Sequence, residues 1–415
     1  MAIIKPFKGY RPQKEAAHLL ACRPYDVLNS DEAREEVKSN PRSFLHVTKS
    51  EVDLPSDIDV HSDIVYQKAK NNLEELIANG IFAQDDVPCY YIYAQTLWDK
   101  TQYGIVGCAS VEDYLNNIIK KHELTRPDKE EDRKKHIRIT NFNAEPVFFA
   151  FPDNAALNEI IKKTIVSEPV YRFNATDGVG HQVWVINNQE TVKKIESIFY
   201  NEVPCTYVAD GHHRTAAAAH VGEERKLKNP SHSGNEEYNF FMAVHFQASE
   251  LTIIDYNRVV KDLNGHTPET FIKRLEESFE LEKMGEEEYK PSQLHEFSMY
   301  IKGNWYRMKA RSNTFNDCDP IDCLDVTVLS NHVLAPVLNI TDLRKSTRID
   351  FVGGIRGLGE LKKRVDSGEM AAAFALYPVS MDQLIKIADT GNIMPPKTTW
   401  FEPKLRSGLI LHCLD

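Results

Sequence analysis

The sequence contains no long apolar run, no closely spaced cysteine pair and no signal-like N-terminus. No stretch approaches the ~18 consecutive apolar residues that a membrane-spanning helix requires, so we expect no membrane segment. The seven cysteines are scattered and none forms a C-x-x-C pair, which argues against a disulfide framework or a zinc knuckle. The first apolar stretch is too short and too interrupted for a signal peptide. We therefore expect reduced thiols and a cytoplasmic location.

An excess of basic residues is also absent. The 415 residues include 50 Lys and Arg against 61 Asp and Glu, which gives a net charge of -11. A large nucleic-acid interface needs a basic surface, so this balance argues against nucleic acid as a partner. The hydrophobic content of 42% and the charged content of 27% are those of an ordinary globular protein. At roughly 150 residues per domain, the length predicts two or three domains.

Helical and strand-like patterns alternate along the chain, without an internal repeat or a low-complexity tract. This alternation predicts a mixed α/β or α+β fold. Compact runs of β-prone residues predict strands at 146–151, 182–186, 206–209 and 240–246. A change in composition near Gly265 predicts a domain boundary, which divides the chain into residues 1–264 and 265–415.

Two shorter patterns predict local structure near the N-terminal half of the chain. The segment Phe44-Leu45-His46-Val47 predicts a short strand. Ser110 and Asp113 form a capping-box pattern, which predicts a helix that starts there and runs on into Glu123.

Residues 208–219 combine the end of a strand, a glycine turn and the start of an alanine-rich helix. A helix start presents free backbone N–H groups and the positive end of a helix dipole, and both attract anions. Gly211 allows a ligand to approach the backbone, and Arg214 can fork onto two phosphate oxygens. His212 and His213 add donors and positive charge. The segment therefore predicts a phosphate-binding loop.

Asp210 stands beside this loop, where its carboxylate would repel phosphate unless a divalent cation bridged the two. A simpler interpretation makes Asp210 the N-cap of the helix, with exposed histidines behind it. A zinc site at His212 and His213 is a third interpretation. Adjacent helical residues point ~100° apart, so these two imidazoles would not easily bind one metal ion.

A second candidate patch contains Glu123 and, shortly after it, Arg133. A glutamate in a polar, cation-rich stretch is ionised and can accept a proton from a hydroxyl group. The alternative is a solvated run of charges at the end of a helix.

A third patch follows a double-proline turn and consists of Lys397, Thr398 and Thr399. A lysine and two hydroxyl groups can bind phosphate or a substrate carboxylate. The alternative is a simple turn that leads into the last strand.

The Asp-Gly-His-His-Arg segment at 210–214 resembles the signature of the archaeal ADP-dependent free serine kinases, which transfer phosphate from ADP to free L-serine. That group belongs to the superfamily of ParB and sulfiredoxin. His122-Glu123 resembles the kinase segment that carries the catalytic glutamate, and Pro396 to Thr399 resembles a Pro-Lys-Thr-Thr stretch near the kinase C-terminus. The three patches occur in the same order.

The chain also resembles a bacterial family of uncharacterised proteins known as domain of unknown function 1015, over nearly its whole length. The shared patches are Pro24 to Val27, His122 to Thr125, Asp132-Arg133 and Ala209 to Arg214.

These resemblances imply a ParB/sulfiredoxin-like nucleotide-binding core within residues 1–264. They also imply a smaller C-terminal α+β domain, 265–415, whose tail returns to the site. The implied activity is phosphotransfer from ADP or ATP with Mg²⁺ to a small hydroxylated metabolite, with free L-serine as the best guess. Partners would then be the nucleotide and a small-molecule acceptor, with no nucleic acid and no membrane. Formation of a homodimer is an additional possibility.

The implied roles are distributed over the three patches. Glu123, Asp210 and His213 would be catalytic, and Asp210 would also hold the metal ion. Nucleotide binding would fall to Gly211, His212, His213, Arg214 and Thr215. Substrate binding would fall to Arg133, Lys397, Thr398 and Thr399.

Two other functions use the same loop without this transfer. A ParB-type protein would bind the nucleotide as a switch and engage a partner. A sulfiredoxin-type enzyme would activate an acid or a thiol, but that chemistry needs a cysteine in the loop. Cys205 falls in the predicted strand instead.

Overall fold

The computed structural model describes all 415 residues, which divide into two compact units. The first unit contains residues 1–251 and 403–415, and the second contains 252–402. The second unit thus begins before the predicted boundary at 264/265, because residues 256–260 pair within its sheet. All seven cysteines are free thiols. None of the helices combines the length and apolarity that crossing a bilayer requires.

A mixed sheet of nine strands forms the centre of the first unit. Its strands lie in the order β6-β11-β8-β12-β5-β4-β10-β9, and β1 pairs with the free end of β5. The pairs β6–β11 and β8–β12 are parallel, and the other pairs are antiparallel. The strands of this unit before residue 252 are β1 Ile4–Lys5, β2 Tyr10–Pro12, β3 Phe82–Gln84, β4 Tyr90–Leu97, β5 Lys100–Ser110, β6 Ile119–Lys120, β7 Phe142–Asn143, β8 Val147–Phe151, β9 Tyr171–Asn174, β10 Gly180–Ile186, β11 Thr206–Asp210 and β12 Phe240–Gln247.

Nine helices accompany this sheet. They are α1 Ala17–Leu20, α2 Ser30–Ser39, α3 Leu45–Thr48, α4 Asp63–Ala78, α5 Val111–Leu115, α6 Pro127–Thr140, α7 Ala155–Thr164, α8 Gln189–Glu202 and α9 His212–Lys228. The alanines at 216–219 are buried in α9 and lie in one core cluster with Phe149, Val208 and Phe241 of the sheet. Small side chains let this helix approach the sheet closely, which fixes its first turn at the sheet edge.

The second unit is built on a six-stranded antiparallel sheet in the order β15-β17-β16-β19-β14-β18. Its strands are β13 Ile253–Ile254, β14 Tyr256–Val260, β15 Phe279–Gly285, β16 Glu296–Ile301, β17 Asn304–Ala310, β18 Ile349–Gly353, β19 Ala372–Leu376 and β20 Trp400–Phe401. Its helices are α10 Pro268–Leu275, α11 Asp325–Leu329, α12 Gly357–Asp366 and α13 Met381–Asp389. The chain then returns to the first unit, where β21 His412–Cys413 pairs with β7. The mixed α/β class predicted from the sequence is confirmed.

Two local predictions are wrong. Residues 45–48 form the short helix α3 instead of a strand. A strand would point the neighbours Phe44 and Leu45 to opposite faces, whereas both lie with Val47 in one core cluster. The helix that Ser110 caps ends at Leu115, where the chain turns through Asn117 with a φ of 60°. The next residues form strand β6.

Gly222 in α9 is a position where packing leaves no room for a side chain. A Cβ atom there would lie 2.4 Å from the carbonyl oxygen of Tyr238 and 2.8 Å from a methyl group of Val111. We expect Gly222→Ala to lower the free energy of unfolding by about 1–3 kcal/mol through overpacking. Urea unfolding followed by circular dichroism measures this change.

The matched control is Gly359→Ala in α12, where a new Cβ would meet nothing within 4 Å. Alanine favours a helix over glycine by up to about 1 kcal/mol, so this variant should be neutral or stabilised. Equal unfolding curves for wild type and Gly222→Ala would contradict the close packing of α9.

Candidate functional site

The predicted phosphate loop connects β11 to α9. Gly211 lies between them with a φ of 90° and a ψ of 34°, a left-handed conformation that glycine adopts without strain. No side chain caps the helix, so Asp210 is not the N-cap that the simpler interpretation required. Thr215 is fully buried, and both its backbone N–H and its hydroxyl donate to the carbonyl of Gly211. The first-turn amides of α9 are therefore left for a ligand or for water.

Glu123 reaches this loop because β6 and β11 are parallel. Their pairing joins Thr206 to Ile119 and Tyr207 to Lys120, so Asp210 and Glu123 follow the last pair by the same number of residues. Parallel strands end at the same edge of a sheet, which is where α/β proteins commonly bind ligands. The Oε2 atom of Glu123 lies 3.5 Å from Nδ1 of His212, and about a third of the Glu123 side chain is exposed.

Arg214 is buried under the loop and contacts two acidic groups. Its Nη1 donates to the carbonyl of Pro146 at 2.6 Å, and its Nη2 lies 3.3 Å from Asp210 and 3.9 Å from Asp26. Its Nε is buried and has no hydrogen-bond partner. A Cβ atom at Gly211 would lie only 3.3 Å from this Nε, so the glycine lets the guanidinium lie against the loop.

Asp210 is held by two cations, one on each carboxylate oxygen. Lys404 Nζ lies 3.5 Å from Oδ1, and Arg214 Nη2 lies 3.3 Å from Oδ2. Burial opposes ionisation of this carboxyl, but the two cations outweigh it and hold the pKa of Asp210 below its ordinary value. Asp210 is therefore an ionised carboxylate at neutral pH.

The histidines of the site are neutral, in contrast to the positive charge expected from the sequence. Burial lowers the pKa of His212 to about 3 and that of His122, whose ring packs edge-on against it, also to about 3. Burial also lowers the pKa of His213. The Nε2 of His212 and both ring nitrogens of His122 have no partner. These imidazoles can donate or accept hydrogen bonds, but they add no charge.

His213 is fixed in one tautomer. Its Nε2 accepts a hydrogen bond from the backbone N–H of Arg126 at 3.0 Å. In the neutral ring the proton must then be on Nδ1, which makes that atom a donor. His213 therefore offers a donor near Glu123. Burial lowers the pKa of His213 more than the Glu123 carboxylate raises it.

Arg133 lies deep in the first unit and is fully engaged there. It pairs with Asp132 at 2.8 Å and with Glu145 at 3.2 Å, and its guanidinium stacks on the ring of Tyr25 at 3.9 Å. Glu145 in turn accepts a hydrogen bond from the backbone N–H of Tyr25 at 3.1 Å. This buried cluster fixes the short turn that carries Asp26 to Arg214.

The third candidate patch lies in the second unit. Lys397 is exposed and has a φ of 61°. Thr398 is buried, and its hydroxyl donates to the carbonyl of Pro395 at 2.6 Å, which closes the predicted turn. Arg258 holds the turn through a 2.8 Å hydrogen bond to the Lys397 carbonyl. Thr399 follows as a half-buried residue before β20.

Sequence reasoning missed two charged residues of the site, Asp26 and Lys404. Asp26 lies within the Pro24–Val27 patch, so the family resemblance contained a signal for it. Lys404 gave none, because only the return of residues 403–415 to the first unit brings it to Asp210. No group of three or more His, Cys, Asp or Glu side chains is placed to hold a metal ion.

Residues 4–327 match the model of a family described as Protein of unknown function (DUF1015). This match covers well over half of the chain and confirms the resemblance drawn from the shared patches. The chain belongs to the DUF1015 family. A search of curated proteins gave no match to it.

Several solved structures are similar to this DUF1015 protein at low identity. A conserved hypothetical protein from Pyrococcus furiosus is 14% identical, with a TM-score of 0.35, over 75% of this chain and 96% of that one. A free serine kinase in complex with AMP is 12% identical, with a TM-score of 0.33, over 72% and 86%. SbnI with a C-terminal truncation, from Staphylococcus aureus, is 11% identical, with a TM-score of 0.38, over 73% and 85%. Similarities this weak carry no argument about the site.

The protonation state of the site histidines can be tested by titration. We expect the His122 and His212 imidazoles to stay neutral across the ordinary histidine pKa of about 6.5, because burial opposes their charge. Nitrogen-15 NMR of the imidazoles measures this, with His212→Gln to assign the signal. His295 in the second unit should stay charged to higher pH, because Asp325 and Asp317 raise its pKa against the effect of burial.

The same shifts predict acid lability. The unfolded chain binds these protons near pH 6.5, and the folded chain binds them only near pH 3. Their contribution to the free energy of unfolding is therefore complete above pH 6.5 and is lost as the pH falls toward 3. Titration of the His212 signal near pH 6.5 would contradict the buried, neutral site.

Proposed function

We propose that this protein is a nucleotide-dependent phosphotransferase that moves a phosphoryl group from ADP or ATP to a small hydroxylated metabolite such as free L-serine. The observation that carries the proposal is the meeting of Glu123 with the Asp210–Arg214 loop at one sheet edge. The ordered resemblance of these patches to free serine kinases supports the choice of reaction. We also propose that the first unit has a ParB/sulfiredoxin-like core.

The loop supplies the groups that phosphate needs. The first-turn amides of α9 lack a side-chain cap, and the buried Nε of Arg214 lacks a partner. Amides at a helix start and a guanidinium both bind phosphate oxygens, and the guanidinium also stabilises charge in the transferring group. In this proposal Gly211 to Arg214 hold the nucleotide phosphates, and the Nδ1 proton of His213 donates to the phosphoryl group. Thr215, whose two donors are engaged by the Gly211 carbonyl, positions the loop instead of binding phosphate.

Glu123 accepts the proton of the acceptor hydroxyl. Its Oε2 atom lies 3.5 Å from Nδ1 of the neutral His212, and about a third of its side chain is exposed. The acceptor oxygen attacks the terminal phosphorus, its proton goes to Glu123, and the bond from phosphorus to the bridging oxygen breaks. The shortened nucleotide leaves with that oxygen and its electron pair.

The proposal includes Mg²⁺, for which Asp210 is the fitting ligand. Mg²⁺ is usually held by one or two carboxylates together with substrate phosphates, and Asp210 is an ionised carboxylate beside the phosphate loop. When bound, the ion neutralises phosphate charge. Lys397 and Thr399 remain proposed ligands of the acceptor on the sequence resemblance alone. Arg133 holds the Tyr25–Asp26 turn in this account.

Substitution of Arg214 tests whether the loop binds phosphate. We expect Arg214→Ala to weaken binding of Mg-ADP or Mg-ATP by about 2–3 kcal/mol, because it removes a charge-assisted pair of hydrogen bonds. Isothermal titration calorimetry measures the affinity, and circular dichroism checks the fold. Arg225→Ala is the matched control, since it removes an ion-paired arginine from the far end of the same helix. Equal affinities in wild type and Arg214→Ala would contradict the assignment.

Substitution of Glu123 distinguishes a phosphotransferase from a nucleotide-binding switch. Glu123→Gln keeps the shape of the side chain but cannot accept the proton, so transfer should fall by roughly 10²–10⁴-fold while nucleotide binding survives. A screen of nucleotides against hydroxylated metabolites, read by mass spectrometry, measures transfer. Glu130→Gln, whose carboxylate binds His220, is the control. Nucleotide binding without transfer to any metabolite would instead favour the ParB-type switch.

A further inference from the structure

The C-terminal segment of the chain brings a lysine to the phosphate loop. Lys404 belongs to the stretch 403–415 that returns to the first unit, and its Nζ lies 3.5 Å from Oδ1 of Asp210. Only 15% of its side chain is exposed. This lysine lies outside every patch that the sequence singled out.

The chain that carries Lys404 is held at Lys404 itself and at Arg406, two residues further on. The Lys404 carbonyl accepts a hydrogen bond from Nε2 of Gln95 at 2.9 Å. Arg406 is buried, pairs with Asp177 and donates to Nε2 of His181 at 3.3 Å. The fixed backbone keeps the Lys404 ammonium group close to Asp210. The long side chain still lets this group turn from one neighbouring acceptor to another.

The arrangement around Asp210 suits an exchange of partners. Lys404 occupies Oδ1 and Arg214 occupies Oδ2, so the carboxylate that would repel phosphate is neutralised. Nε of Arg214, on a buried side chain, is still without a partner and can donate to an incoming acceptor. A nucleotide that arrives with Mg²⁺ offers the metal to Asp210 and phosphate oxygens to the lysine. An ammonium group is a compact donor that binds phosphate well.

We propose that Lys404 is a phosphate-binding residue of the nucleotide site, paired with Asp210 until the nucleotide arrives. The inference rests on the proposed function and adds a ligand from a distant part of the chain. The competing explanation is that Lys404 only neutralises Asp210 and never contacts the nucleotide.

Single substitutions measure how much Lys404 contributes to nucleotide affinity. We expect Lys404→Ala to weaken binding of Mg-ADP about 10- to 100-fold by calorimetry, as loss of a charge-assisted hydrogen bond requires, and Lys404→Arg to retain part of the affinity. Lys226→Ala removes the same charge from the opposite end of α9 and should bind like wild type. Thermal unfolding confirms that each variant is folded.

A double substitution separates the two explanations. In the Asp210→Asn background Lys404 has no carboxylate to neutralise there. If Lys404 binds phosphate, adding Lys404→Ala to this background still weakens binding of metal-free ADP and of pyrophosphate about 10-fold or more. If Lys404 only neutralises Asp210, the second substitution changes nothing, and the inference is overturned. Absence of nucleotide binding by the wild type would instead overturn the proposed function and this inference together.

Discussion

The parallel pairing of β6 with β11 is the constraint on which the site depends. Two residues of β6 lie beside β11 in register, and this short pairing carries Glu123 to the same sheet edge as Asp210. β8 runs antiparallel to β11 and starts at that edge, so Pro146 is available to hold Arg214. Three segments that are distant in sequence thus meet where β11 ends.

Buried charge is the second organising feature. Arg214 and Arg133 are each about nine-tenths buried, and each is compensated by two carboxylates: Asp210 and Asp26 for Arg214, Asp132 and Glu145 for Arg133. Removing one partner from such a buried group is costly, so the cluster keeps its geometry. The neutral histidines between these charges add hydrogen-bonding capacity without adding repulsion. A preorganised site of this kind suits phosphoryl transfer, where positioning and electrostatics supply most of the catalysis.

The sequence predicted the loop well and its surroundings poorly, for a physical reason. The glycine turn and the alanine-rich helix are local signals, and β11, Gly211 and α9 are where those signals placed them. The strand β6 was mistaken for the continuation of a helix, because two residues carry too little periodicity to identify a strand. Its identity is decided by pairing with residues 206–207. Lys404 escaped notice because only its tertiary contact with Asp210 gives it a role. Asp26 differs, because it lies in a patch that the family resemblance had already identified.

The central claim is that the loop from Asp210 to Arg214 binds the phosphates of a nucleotide. A crystal structure of the protein with Mg-ADP tests it most directly. The account predicts phosphate oxygens within hydrogen-bond distance of the first-turn amides of α9 and of Arg214, with the Glu123 carboxylate facing the terminal phosphate. A nucleotide bound elsewhere on the protein, with this loop in contact with solvent only, would contradict the account.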